Sequence, residues 1–70
     1  MPEISARNVL KGKVKQVIHG AVNSEIIMTL PGNIEVVSVI TKSSAERLGL
    51  KAGKEAYAVI KASNVMIMID

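Results

Sequence analysis

Between Ile34 and Ile40 the chain reads IEVVSVI, and both alternating faces of that run are largely apolar. Ile34, Val36, Ser38 and Ile40 fall on one side of an extended strand, and Glu35, Val37 and Val39 on the other. The same β-branched enrichment predicts strands elsewhere. A first strand runs through the opening stretch ISARNVLKG, breaks at Gly12 and resumes as KVKQVI. A second is SEIIMTL, Ser24 to Leu30, joined to IEVVSVI by the turn signal PGN, Pro31 to Asn33. EAYAVIKA and VMIMI read as two more strands, and KAG, Lys51 to Gly53, as another turn.

One segment departs from this alternation. TKSSAERLGL, Thr41 to Leu50, predicts a short helix. Ser43 and Glu46 have capping-box spacing, and Gly49 stands where a helix ends. Strands, one short helix and further strands predict an all-β fold, a small OB-like β-barrel spanning residues 1–70 as one domain. No linker or low-complexity tract interrupts it.

An antiparallel sheet with one wet face alternates apolar with polar residues. Residues 34–40 do not, and residues 65–69 are apolar on both faces throughout. A second covered face is therefore expected, with another subunit as its cover. A tightly wrapped monomeric barrel is the alternative.

Size and composition strengthen the case for association. A domain near 70 residues buries only about 60% of its unfolded surface, and small scaffolds need extra support. The absence of Cys excludes disulfides and thiolate metal sites, and the lone His19 cannot build a metal site by itself. Hydrophobic residues make up 49% of the chain, nearly all aliphatic, with one Tyr and no Phe or Trp. Mean hydropathy is +0.33. No apolar run approaches the ~18 residues of a membrane span, and no basic segment leads into a long apolar core. These features predict a cytoplasmic protein without a membrane partner.

The net charge of +3 favours an anionic partner without naming it. Catalytic signatures are missing: the single His has no Ser and Asp arranged as a triad, and no P-loop or dinucleotide glycine fingerprint occurs. An OB-like nucleic-acid-binding module is the competing function. Such surfaces depend on aromatic platforms, and Tyr57 is the only aromatic. Lys11, Lys13 and Lys15 alternate along one strand, the pattern of a solvated face.

A small oxyanion fits the polar residues better. Ser5 and Arg7 lie at alternate positions, so they share one face of an extended arm. Thr41, Ser43 and Ser44 gather at a helix start, where free N–H groups attract anions. Lys61 and Ser63 are again two apart on a strand. GAVNSE, Gly20 to Glu25, is a small-residue loop that lets backbone amides approach a ligand. Each feature has a plainer reading: Ser43 as a cap, Arg7 in a surface ion pair, Lys61 stretched over apolar surface, GAVNSE as a hairpin connection. The case rests on their joint occurrence.

SARNVLKGKV, GAVNSE, ITKSSAERLGLKAGKEA and VIKAS, in that order, resemble the molbindins, small molybdate-binding Mop domains, in their single-domain clostridial form. The likeness runs from Ile4 to Met68. It implies an OB-like barrel assembled as a hexamer, a trimer of dimers, that holds molybdate at subunit interfaces and stores or buffers it. One implied site class sets Ser5, Ala6 and Arg7 of one subunit opposite Thr41, Ser44, Lys61 and Ala62 of a neighbour, with Ser43 and Ser63 nearby. The N-terminal arm thus completes the next subunit's pocket. A second class, near a threefold axis, transfers to Gly20, Ala21, Val22, Asn23 and Ser24.

The chemistry suits that ligand. Molybdate is a tetrahedral dianion with no proton to donate near neutral pH, so a donor-only pocket satisfies it. Monohydrogen phosphate carries a proton that such a pocket leaves unpaired, at a cost of about 1–3 kcal/mol. Sulfate has the right charge and must be excluded by size. Tungstate matches molybdate in both respects, so it is expected to bind as a substitute.

Overall fold

The computed structural model describes residues 3–70. Its elements are β1 (Asn8–His19), β2 (Asn23–Leu30), β3 (Ile34–Thr41), the short helix α1 (Lys42–Arg47), β4 (Glu55–Ile60) and a single 3-10 turn (Ala62–Asn64). The four strands form one antiparallel sheet in the order β3-β2-β1-β4. Mostly strands with one short helix is the class that the sequence pattern predicts.

The long β1 organises the sheet by changing partners along its length. Its first half pairs with β4, from Asn8 opposite Ile60 to Lys13 opposite Glu55. Its second half pairs with β2, from Lys13 opposite Thr29 to His19 opposite Ser24. At the changeover the Val14 amide donates to the Lys54 carbonyl at 2.9 Å, and the Gly53 amide donates to the Val14 carbonyl at 2.8 Å. A register shift between Val14 and Gln16 bends the strand there. The bend turns Val14, 2% exposed, into a core shared with Ile26, Met28 and Ala45. Ala45 is the one buried residue of α1, and its small side chain lets the helix lie close to the sheet.

Gly12 does not break β1. A β-carbon there would stand 2.5 Å from the Thr29 carbonyl oxygen, so glycine lets the strand pass tightly against the end of β2. Helix α1 is capped by Thr41 rather than Ser43: the Ser44 amide donates to Thr41 Oγ1 at 3.1 Å. The cap therefore lies two residues before the expected Ser43, and with Ser44 rather than Glu or Gln at the third helical position it is a simple N-cap, not a capping box. At the other end Gly49 takes φ +64°. Its amide donates to the Glu46 carbonyl at 3.0 Å, and the Leu50 amide to that of Ala45 at 3.1 Å. These two bonds make a Schellman ending, and Lys54 Nζ adds a bond to the Leu48 carbonyl at 2.6 Å.

Three further expected features are corrected. The opening stretch joins β1 only from Asn8 onward. EAYAVIKA stays extended only to Ile60, because the chain then turns through Ala62–Asn64. VMIMI, residues 65–69, forms no strand; Met66 is 92% and Ile69 87% exposed. An apolar β-branched run has strand propensity but becomes a strand only with a ladder partner, and its own chain supplies none. β3 and β4 are the two edges of the sheet. An apolar cleft of about 700 Å³ lies along β3 and β4, floored by Ile26 and Met28 and flanked by Leu48 and Leu50.

Candidate oxyanion sites

The pairing of Asn8 with Ile60 ends the β1–β4 ladder and brings two polar segments together. Arg7 lies immediately before Asn8, and Lys61 immediately after Ile60. The chain bends at Ser5 and again at Arg7, so these two residues are not spaced along a straight extended arm as expected. Lys61 and Ser63 do not share a strand face either. Lys61 precedes the 3-10 turn, which is closed by the Asn64 amide donating to the Lys61 carbonyl at 2.9 Å.

Together the segments line one open cavity of about 680 Å³: Ile4, Ser5, Ala6 and Arg7 on one wall, and Val59, Lys61, Ala62, Ser63 and Asn64 on the other. No carboxylate lines it. The cation pair has no competing anion among the described residues, where the ion pairs found are Lys11 with Glu55 at 3.4 Å and Lys15 with Glu35. Arginine and lysine donate and never accept, so two positive donor groups and two hydroxyls face a common space. Asn64 was not anticipated as a lining residue. Its only sequence signal is its place directly after Lys61, Ala62 and Ser63.

The second polar cluster lies at the far end of β1. Gly20, Ala21 and Val22 connect β1 to β2, closed by the Gly20 amide donating to the Asn23 carbonyl at 2.8 Å. The Val22 carbonyl in turn accepts the Lys42 amide at 2.7 Å, which ties this loop to the start of α1. Thr41 pairs with Asn23 across β2 and β3. Its hydroxyl is 2.7 Å from Ser44 Oγ and 3.3 Å from Ser43 Oγ, so much of the hydroxyl capacity of the helix start is spent internally. Ser24 is 1% exposed, and its Oγ is 2.6 Å from His19 Nδ1. Its hydroxyl belongs to the interior rather than to an exposed ligand surface. Ala21, Val22 and Asn23 remain exposed.

Within one chain the polar residues fall into two groups. Residues 5–7 share a cavity with residues 61–63 of their own chain. Thr41, Ser43 and Ser44 instead neighbour residues 20–23. The two clusters sit at opposite ends of the twelve-residue β1. At about 3.3 Å per residue, one ion cannot touch both within a single chain.

Comparison with known proteins follows the same lines. The TOBE domain model matches residues 4–67. The chain is 49% identical to molybdenum-pterin-binding protein 3 of Clostridium pasteurianum over 65 residues, covering 93% of this chain and 96% of the relative. A molybdate-binding protein from Sporomusa ovata superposes with a TM-score of 0.91 at 32% identity, over 97% of this chain and all of the other. The cytoplasmic molybdate-binding protein ModG superposes with a TM-score of 0.90 at 51% identity, over 93% of this chain and 46% of the other. These relatives are binding proteins, not enzymes.

Proposed function

The chain belongs to the TOBE-domain family, and from that premise we propose that it binds molybdate, with tungstate as substitute, to store and buffer the ion in the cytoplasm. The observation that carries this reading is the cavity where Arg7 and Lys61 face one space without a carboxylate. Two cations beside hydroxyls compensate a dianion that must shed water to enter. The molybdate binding of its relatives supports the choice of ion. Location in the cytoplasm rests on ModG, which is described as cytoplasmic. No helix among the described residues is long and apolar enough to cross a membrane.

The working form is a homo-oligomer, a hexamer arranged as a trimer of dimers. Support comes from apolar surface that one chain leaves uncovered: Val37 and Val39 on the outer face of β3, and the whole run from Val65 to Ile69. Assembly also supplies what one chain lacks, since only a second copy can bring Thr41, Ser43 and Ser44 to the cavity of residues 5–7 and 61–63. Residues 20–23 form the second, loop-side site. Nucleic acid is not a partner in this reading: Lys11 and Lys15 are paired with carboxylates, and Tyr57 is the only aromatic.

Calorimetric titration with molybdate, tungstate, sulfate and phosphate tests the proposal. Molybdate and tungstate are expected to bind alike, well ahead of sulfate and phosphate. Arg7→Ala and Lys61→Ala are each expected to weaken the cavity site by about tenfold or more, the scale of a charged hydrogen bond, while loop-side binding persists. No molybdate heat at micromolar protein overturns the function. Equal loss at both sites overturns their division.

A further inference from the structure

Arg7 and Lys61 line one cavity with no carboxylate on its walls. Before any ion arrives these like charges repel, and something uncharged must hold the two walls in place. Asn8 and Ile60 are the hinge between the walls, the last paired residues before the arm bends away on one side and the 3-10 turn begins on the other. Across that hinge the half-buried Asn8 donates its side-chain Nδ2 to the Ile60 carbonyl at 3.2 Å. The two residues are far apart in sequence, so the bond fastens the chain's beginning to its end.

We infer that Asn8 is the positioning residue of this site, setting the separation of Arg7 and Lys61 before the oxyanion binds. The inference rests on the oxyanion reading above. An amide suits the task because it donates without charge. An aspartate would place a rival anion beside both cations, and an aliphatic side chain would leave the Ile60 carbonyl without this donor. A separation fixed in advance spares the ion the cost of ordering the walls. It also favours one ion size, which is how molybdate is told from sulfate when the two share charge and hydrogen-bonding sense.

Parallel titrations of molybdate and sulfate into wild type, Asn8→Leu, Asn8→His and Leu50→Ala test this, alongside urea unfolding. Asn8→Leu is expected to weaken molybdate binding about three- to tenfold, the range of one neutral hydrogen bond, and to lower the molybdate-to-sulfate ratio. Asn8→His, whose ring N–H can reach the same carbonyl, is expected to keep that ratio, and it carries the test if Asn8→Leu does not fold. Leu50→Ala weakens the core away from the cavity and is expected to leave the ratio unchanged. A wild-type ratio in Asn8→Leu, a lost ratio in folded Asn8→His, or an equal loss in Leu50→Ala overturns the inference while the oxyanion function stands. Wild type that takes up no molybdate overturns that function, and this inference with it.

Discussion

His19 and Ser24 face each other across the β1–β2 ladder, with Nδ1 of the ring 2.6 Å from the serine Oγ. Ser24 is buried and His19 exposed, so the two partners lose differently when separated. His19→Ala leaves a buried hydroxyl without its ring partner, at a cost of about 1–3 kcal/mol. Ser24→Ala leaves an exposed imidazole that water can satisfy, and is expected to cost less, about 1 kcal/mol. Urea unfolding of both variants and the double variant, at one fixed protomer concentration, measures the asymmetry. If Ser24→Ala proves the more costly, the bond is not what holds this corner.

The capping of α1 gives a sharper contrast. Thr41 Oγ1 accepts the Ser44 amide, whereas Ser43 makes one long hydroxyl contact. Thr41→Ala is therefore expected to destabilise the protein by about 1 kcal/mol, and Ser43→Ala by a few tenths at most. Equal effects in thermal or urea unfolding would restore the capping box at Ser43.

Gly12 meets the backbone of β2 at a distance no β-carbon tolerates. Gly12→Ala must push Thr29 away and shift the paired strands, at a cost of about 1–3 kcal/mol. Since β1 changes partners one residue later, at Lys13, the amides of both ladders are expected to lose protection in hydrogen exchange. Unchanged protection would show that the strands have slack at this point.

Residues 65–69 carry the oligomer prediction. Ile67→Asp and Ile69→Asp place charges where a neighbouring chain is expected to pack. Both variants should shift the species seen by light scattering towards smaller assemblies, with the intrachain sheet intact by circular dichroism. A full-size assembly in both variants would mean that the apolar tail is not at an interface.

Much of the fold was legible in the sequence because it is written in local chemistry. β-Branched enrichment marks β2 and β3 nearly to the residue, PGN marks their turn, and Gly49 marks the end of α1. The misreadings share one cause. Gly12 looked like a break because glycine commonly punctuates chains, and only the proximity of Thr29 shows that it serves close passage. VMIMI looked like a strand because propensity is local while pairing is not. Ser43 reads as the cap because Glu46 stands three residues on, whereas the extended backbone of Thr41 and its bond from the Ser44 amide place the cap there.

The polar site residues divide in the same way. The sequence by itself determined which groups are available: Arg7, Lys61 and the hydroxyls around them, in short motifs without aromatic residues. Those groups favour a small anion as ligand, since they donate hydrogen bonds, carry positive charge and lack aromatic platforms. Only the tertiary structure decided the grouping. The Asn8–Ile60 rung joins residues 5–7 to residues 61–63 within one chain, while the length of β1 holds Thr41, Ser43 and Ser44 at the opposite end beside residues 20–23. Which distant segments meet depends on strand register and on the bend at Val14, which arise from contacts across the whole chain that no local pattern records.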